Sequence, residues 1–379
     1  MRTSLVLSDV QTRIRELVHA VFRRVPAGVG SQGAIPDLSF AEMDQVLTKG
    51  ARWAIERGFG SGEDLSFIED NGRIQAADPT AISSRAKERG RGQMGTLGSG
   101  NHFIEVDVVQ EIYDAGAAAC FGIDLQSICI LLHSGSRGLG HQVCTDHLEG
   151  MAAAVRKYGI RLPDRQLACA PIQSPEGQSY YAAMKGAANY AWANRQIMSS
   201  LIEQAWCEAL HISPRVLGCR LVYDVSHNIA KKEKHVIAGQ ERAVMIHRKG
   251  ATRAFAAGSD QVPERYRRYG QPVLVPGDMG SGSYILLGTD QAMDETYGSS
   301  CHGAGRVKSR AQAIKDARGK NPFQEMEEHG VIVLAAGKKT IAEEMPSAYK
   351  NVDEVVESAC QAGISRKVAR LRPIGCIKG

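Results

Sequence analysis

No stretch of eighteen apolar residues occurs in the chain, which excludes a helix long and greasy enough to span a membrane. The amino terminus, Met1-Arg2-Thr3-Ser4-Leu5-Val6-Leu7, offers only a three-residue apolar run before Ser8 and Asp9, too short for a signal-peptide core. The nine cysteines (120, 129, 144, 169, 207, 219, 301, 360 and 376) are odd in number and no two are spaced C-x-x-C. A disulfide framework or zinc knuckle is therefore not expected, and a reducing, cytoplasmic setting fits. No internal repeat is present, and no linker rich in Pro, Gly or Ser divides the chain. Charge of one sign is scarce too: 46 basic against 41 acidic side chains leave +5, which permits a polyanionic partner without demanding one.

What the chain has is glycine, 40 residues in 379, gathered in short clusters rather than a repeat. Average usage is near 7%, so the excess suits tight turns and close backbone approach to a ligand. Val10, Ile14, Leu17, Val18, Val21 and Phe22 recur at helical spacing after Asp9, and a second helix is expected after Ser39 with Phe40, Met43, Val46, Leu47 and Ala51 inward. Strands are expected at Asn101–Val109, Ser127–His133, Arg220–Val225, Ala243–His247, Val273–Val275 and Tyr284–Leu287; helices at His141–Lys157, residues 179–210 and Val352–Ala362. The pattern predicts one large mixed α+β domain over residues 1–379, with several short sheets and a helical insertion at about 141–210.

Four of the eleven histidines share an unusual setting: His102, His133, His227 and His302 each begin or end an apolar run beside Gly, Ser or Asn. Imidazole is the commonest transition-metal ligand and can serve as a nucleophile. Any one of them alone reads as a capping or core histidine; four in one kind of context point to one shared site. Asn101 and Asn228 flank two of them, and Arg137 and Arg306 each follow a Gly-rich loop, as suits bidentate phosphate binding. The loop Gly135-Ser-Arg-Gly-Leu-Gly140 joins strand to helix, but its G-x-x-G-x-G spacing excludes a dinucleotide fingerprint there. His141, Cys144 and His147 drift around a helix and read as a partly buried face. Pro276-Gly-Asp-Met-Gly-Ser-Gly-Ser283 is either a hairpin loop or a phosphate cradle. Lys231-Lys-Glu-Lys234, and Arg265, Arg267 and Arg268 with Tyr266 and Tyr269 between them, are compatible with an RNA backbone path or with solvated faces.

At these histidine segments the chain resembles the RtcB family of RNA-splicing ligases. The segments that carry the likeness are GTLGSGNHFIE at 95–105, LLHSGSRGLG at 131–140, YDVSHNIAKKE at 223–233, HRKGATRAF at 247–255, PVLVPGDMGSGSY at 272–284, SCHGAGRVKSR at 300–310, AYKNVD at 348–353 and a terminal C-x-K-G at 376–379, in family order across almost the whole chain. The resemblance implies GTP- and Mn-dependent joining of an RNA 3′-phosphate or 2′,3′-cyclic phosphate to a 5′-hydroxyl, through a guanylylated histidine, in tRNA splicing or RNA repair. It implies His302 as nucleophile and His102, His133 and His227 as ligands to two Mn2+ ions. It implies Asn101 and Arg137 at phosphates, with Asn228, Asp278, Ser283, Gly303, Ala304, Gly305, Arg306, Tyr349 and Lys378 in the nucleotide site. RNA, and for some members an archease activator, are the implied partners. The family also carries an N-terminal D-x-x-C whose Asp and Cys ligate metal. No D-x-x-C occurs in these 379 residues, so the dimetal site is expected to be incomplete here. Glu105 and Asp224 are the acids that could help. Two rival expectations follow: an RNA or guanine-nucleotide binder that does not ligate, and a metal-dependent phosphohydrolase using the same histidines.

Overall fold

The computed structural model describes residues 1–164 and 166–379. Its spine is a seven-stranded sheet in the order β1 (Arg2–Val6), β3 (Ser127–His133), β2 (Phe103–Ile112), β11 (Ser365–Lys378), β8 (Ser283–Gly288) and β7 (Pro272–Pro276), with β10 (Ile332–Ala335) beside the far end of β11. All pairs are antiparallel except β10 with β11. Two small two-stranded sheets accompany it: β4 (Asn228–Ile237) with β5 (Gln240–Lys249), and β6 (Ala251–Arg253) with β9 (Ser299–Cys301). The fold is thus the expected single mixed α+β unit with several sheets, one of seven strands and two of two strands each.

Both faces of β2 are covered, so its period-two pattern separates two interiors. Ile104, Val106 and Val108 pack with Ile14, Leu17, Val18 and Val21 of helix Ile14–Arg24 and with Ile197 and Met198 of helix Pro175–Leu210. The other face carries Phe103, Glu105 and Asp107, all buried. Helix Pro175–Leu210 runs through this core for 36 residues, from a Ser174 cap to His211 in the left-handed conformation, and buries polar Asn189, Asn194 and Arg195 along with Tyr190, Trp192 and Trp206.

Several sequence expectations need correction. The stripe after Asp9 is interrupted: residues Leu7–Val10 form one short turn and the helix proper starts at Ile14. Ser39 caps its helix as expected, but Phe40 is exposed, since the first helical position precedes the inward face. Arg220–Val225 is no strand; its β-type pairing is limited to the isolated bridges Arg2↔Arg220 and Ile68↔Asp224. Strands β4 and β11 go beyond the sequence expectation. Lysines hide the first, and scattered basic side chains and Pro373 hide the second. Pro373 is tolerated in this interior strand because the register slips between it and Gly375.

Candidate active site

The sheet registers bring the histidines together. Phe103 lies opposite His133 on one side and Lys378 on the other, so His102, His133 and Lys378 share one edge of the sheet. His227 immediately precedes β4 and His302 immediately follows β9. The ring of His133 meets His102 at 5.7 Å and His227 at 5.0 Å between centroids, and His227 stacks on His302 at 4.3 Å with planes 9° apart. Nε2 of His133 and Nε2 of His227 approach to 2.9 Å. The Nδ1 atoms of His102, His227 and His302 are buried and find no hydrogen-bond partner among the described residues.

These are neutral imidazoles. Burial pushes His102 down to about 4, with Arg137 adding to it. Burial and then the His302 ring push His227 down to about 3. His133 lies well below the ordinary value, through burial and the histidines on either side. His302 is lowered by burial and then by Lys249. An unprotonated ring nitrogen is what both a ligand and a phosphoryl acceptor require.

Two consecutive residues of the long helix hold three of the histidine segments. Asn194 accepts from Gly95 N at 2.7 Å and donates to Thr96 O, Ser134 Oγ and Gly135 O, which tie down the approaches to His102 and His133. Arg195 donates to Ser134 O at 3.1 Å and grips Asp224, three residues before His227, through contacts of 2.7–2.9 Å. Gly98 completes the frame. Its φ is +101°, and a Cβ there would stand 2.0 Å from an Arg137 guanidinium nitrogen and 2.4 Å from His102 Nδ1. Arg137 donates to Thr96 Oγ1, Gly28 O and Ser31 Oγ and has no acidic partner among the described residues, so its charge is free to meet an anion.

A second cluster stands beyond Gly303-Ala304-Gly305. Glu344, fully buried, accepts from Arg306 at 3.0 Å and from the Tyr349 hydroxyl, and faces Lys378 Nζ at 3.8 Å and Arg310 at 3.7 Å. The Arg306 guanidinium also lies over the Tyr349 ring. The expected nucleotide residues Arg306, Tyr349 and Lys378 are thus gathered, but by a carboxylate that sequence reasoning missed. A Glu pair in Ala342-Glu-Glu-Met345 gives no signal of its own. Ala304 N bonds Pro276 O and Gly305 O accepts from Lys350 N, joining this loop to the Asp278 loop and to the Tyr349 segment. Asp278 is committed to its own turn, accepting from Gly280 N, Ser281 N and Ser281 Oγ, whereas Ser283 Oγ is buried with no partner among the described residues.

A cavity of about 690 Å³ opens on the cluster, lined by Asn101, His102, His133, Arg137, His227 and Asn228 and continuing to Tyr180 and Met184. His302, the Asp278 loop and the Glu344 cluster lie outside its lining. A larger cavity, about 840 Å³, sits away from the histidines between residues 63–75 and 260–267. Arg265 and Arg267 line it, but Tyr266 is a core residue whose hydroxyl bonds Val222 O, so the Arg–Tyr run is no stacking platform.

The acids do not join the histidines. Asp224 is raised by burial and pulled down by Arg195, whose bidentate grip keeps it a carboxylate and occupies it. Glu105 is raised well above its ordinary range by burial and by Asp107 beside it, and meets only the Cys376 thiol. The imidazoles suit a divalent cation in protonation state and in their orphaned nitrogens. Their spacing is looser than a closed cation site: among the described residues no three His, Cys, Asp or Glu side chains converge closely enough to hold one.

A buried cluster of histidines thus stands between an arginine with no acidic partner among the described residues and a basic, tyrosine-bearing pocket. Similarity to known proteins supplies the class. A family model described as tRNA-splicing ligase RtcB matches residues 1–379, and the chain belongs to the RtcB family. A protein named tRNA-splicing ligase RtcB from Archaeoglobus fulgidus is 52% identical over 379 residues, covering 100% of this chain and 78% of that protein. Proteins of the same name from Methanocaldococcus jannaschii and Pyrococcus abyssi are each 51% identical over the whole chain, which spans only 39% and 41% of their lengths.

Proposed function

We infer that this chain carries the RNA-joining centre of an RtcB-type ligase, with His302 as the residue that takes up guanylate from GTP. The observation that supports this best is the neutral His302 ring stacked on His227, its Cδ2–Nε2 edge facing Gly250 at 3.8–3.9 Å from where a Cβ would stand. In that reading a His302 nitrogen lone pair attacks the α-phosphorus of GTP. A P–N bond forms, the bond to the β-phosphate bridging oxygen breaks, and pyrophosphate leaves. The RNA 3′-phosphate then takes the guanylate from His302, and the incoming 5′-hydroxyl displaces GMP. A 2′,3′-cyclic end is opened to the 3′-phosphate first.

Within the chain, Arg137 and Asn101 hold the RNA phosphate, and Lys378 and Tyr349 hold the guanine. Arg306, Asn228, Asp278, Ser283 and the Gly303-Ala304-Gly305 backbone frame the nucleotide. His102, His133 and His227 are the imidazole donors for Mn2+, which when bound neutralises phosphate charge. Incubation with Mn2+ and α-labelled GTP, followed by denaturation, is expected to leave acid-labile label on the chain, and His302→Ala should abolish it. Label that survives His302→Ala overturns the assignment. The loose spacing of these side chains favours one second reading, a family member that binds RNA or GTP without joining ends. RNA binding with no label would support it. Tests in a cytoplasmic extract would also show whether an archease is needed.

A further inference from the structure

Strands β4 and β5 form an isolated ten-rung ribbon, turned at Ala238-Gly239, that leaves the histidine centre directly: His227 precedes its first residue and Gly250, beside His302, follows its last. An isolated two-stranded ribbon is marginal unless one face is packed. Here the inward face is held by ion pairs. Lys231 meets Glu69 at 2.7 Å and Asp70 at 2.5 Å, and Arg248 grips Glu233 at 2.6 Å with His235 beside it. The sequence run Lys231-Lys-Glu-Lys234 therefore divides: Lys231 is internal, and only Lys232 and Lys234 face outward.

The outward face has a regular pattern. The register pairs Asn228 with Lys249, Ala230 with His247, Lys232 with Met245 and Lys234 with Ala243. Each of these four successive rungs carries one lysine or histidine, all exposed, and none carries an acid. The next rung, Val236 with Glu241, ends the row, and Glu241 reaches back to Lys234 at 2.8 Å between two solvated side chains. Same-face rungs repeat every ~6.7 Å, which is close to the step between phosphates in an extended single strand. Tyr181 of the long helix bonds the Lys232 amide, with Lys185 against its ring, which places an aromatic beside the third rung.

We propose that the outward face of this ribbon is the track for the backbone of a single-stranded RNA end, one phosphate to a rung, leading away from His302. The proposal rests on the ligase reading above. The exposed Lys234–Glu241 pair is weak enough for a phosphate to displace. The test uses the full chain and a fluorescent single-stranded RNA of about twelve nucleotides with a 5′-hydroxyl, in binding titrations across a salt series. Lys232→Gln with Lys234→Gln should weaken binding about tenfold near 0.1 M salt, and should lower the log–log salt slope by about 1.4, about 0.7 for each phosphate left without its lysine. Lys232→Arg with Lys234→Arg should restore both. GTP labelling should be unchanged in either variant, which also shows that they fold.

Unchanged affinity and slope in the Gln variant overturn the track, as does weaker binding with an unchanged slope. Failure of the parent chain to bind the RNA even at low salt overturns it too, and would leave this face to an acidic protein partner. Loss of GTP labelling in the parent chain would instead count against the ligase reading, and the salt slope would still judge the ribbon.

Discussion

At the scale of the single residue, Gly98 shows how closely the centre is fitted. Its positive φ and the nearness of Arg137 and His102 leave no space for even one methyl group. Gly98→Ala is therefore expected to push both side chains out of place while the apolar core stays intact. Ligation should fall at least a hundredfold, as a shift of about 1 Å in reacting groups can cost that much, with little change in far-UV circular dichroism. Activity near the parent level would mean that the two side chains have more freedom than this packing allows. Glu344 gives a second prediction. Glu344→Gln keeps the shape but removes the charge that gathers Arg306, Tyr349 and Lys378. On the ligase reading proposed above, the guanine end should loosen, raising the KM for GTP about tenfold with a smaller change in kcat, the mark of a group that positions others. A fall in kcat alone would place Glu344 in the chemical step instead.

At the scale of elements, one helix holds the site through Asn194 and Arg195. Arg195→Lys keeps the charge against Asp224 but cannot span both Asp224 and Ser134 O, because Lys is a point donor where Arg is a fork. The variant should stay folded and lose about tenfold to a hundredfold in ligation rate, with Tm lowered by a few degrees; a rate equal to the parent's would sink the positioning role. Much of this scale was legible in the sequence. Ser127–His133 and the long helix read plainly, since a continuous apolar run and a helical period survive without tertiary help. The four histidines were found because each sits at the end of an apolar run beside Gly or Asn. What stayed hidden depends on partners far along the chain. β11 carries no strand signal of its own and forms only where β2 and β8 flank it, and Glu344 acquires meaning only when Arg306, Tyr349 and Lys378 surround it. Likewise, the Lys231 run reads as one basic patch until the pleat sends alternate side chains to opposite faces.

At the scale of the whole molecule, buried groups of opposite kind set how stability follows pH. His102, held near 4, and His227, held near 3, bind protons less readily folded than unfolded, where an ordinary value of about 6.5 applies. Stability they provide is full above about pH 6.5 and is lost as pH falls toward those lower values. Asp107 acts the other way. Burial raises it from an ordinary 3.8 to about 7, and neither of its oxygens has a partner among the described residues. Folded Asp107 holds a proton that the unfolded chain has released, so it costs stability as pH rises from about 4 through about 7. The two effects oppose each other over the same interval and flatten the curve. Asp107→Asn removes the second, and with it the carboxylate that helps raise Glu105, because the amide is neutral at every pH. Relative to the parent, the variant should gain on the order of 2–4 kcal/mol between pH 4 and pH 8. Its own stability should then fall more steeply on acidification, since the histidines act unopposed. Urea unfolding at pH 8, 6 and 4.5 measures both. A variant curve parallel to the parent's would show that Asp107 is ionised in the folded chain at all three, with a charge partner that offsets its burial.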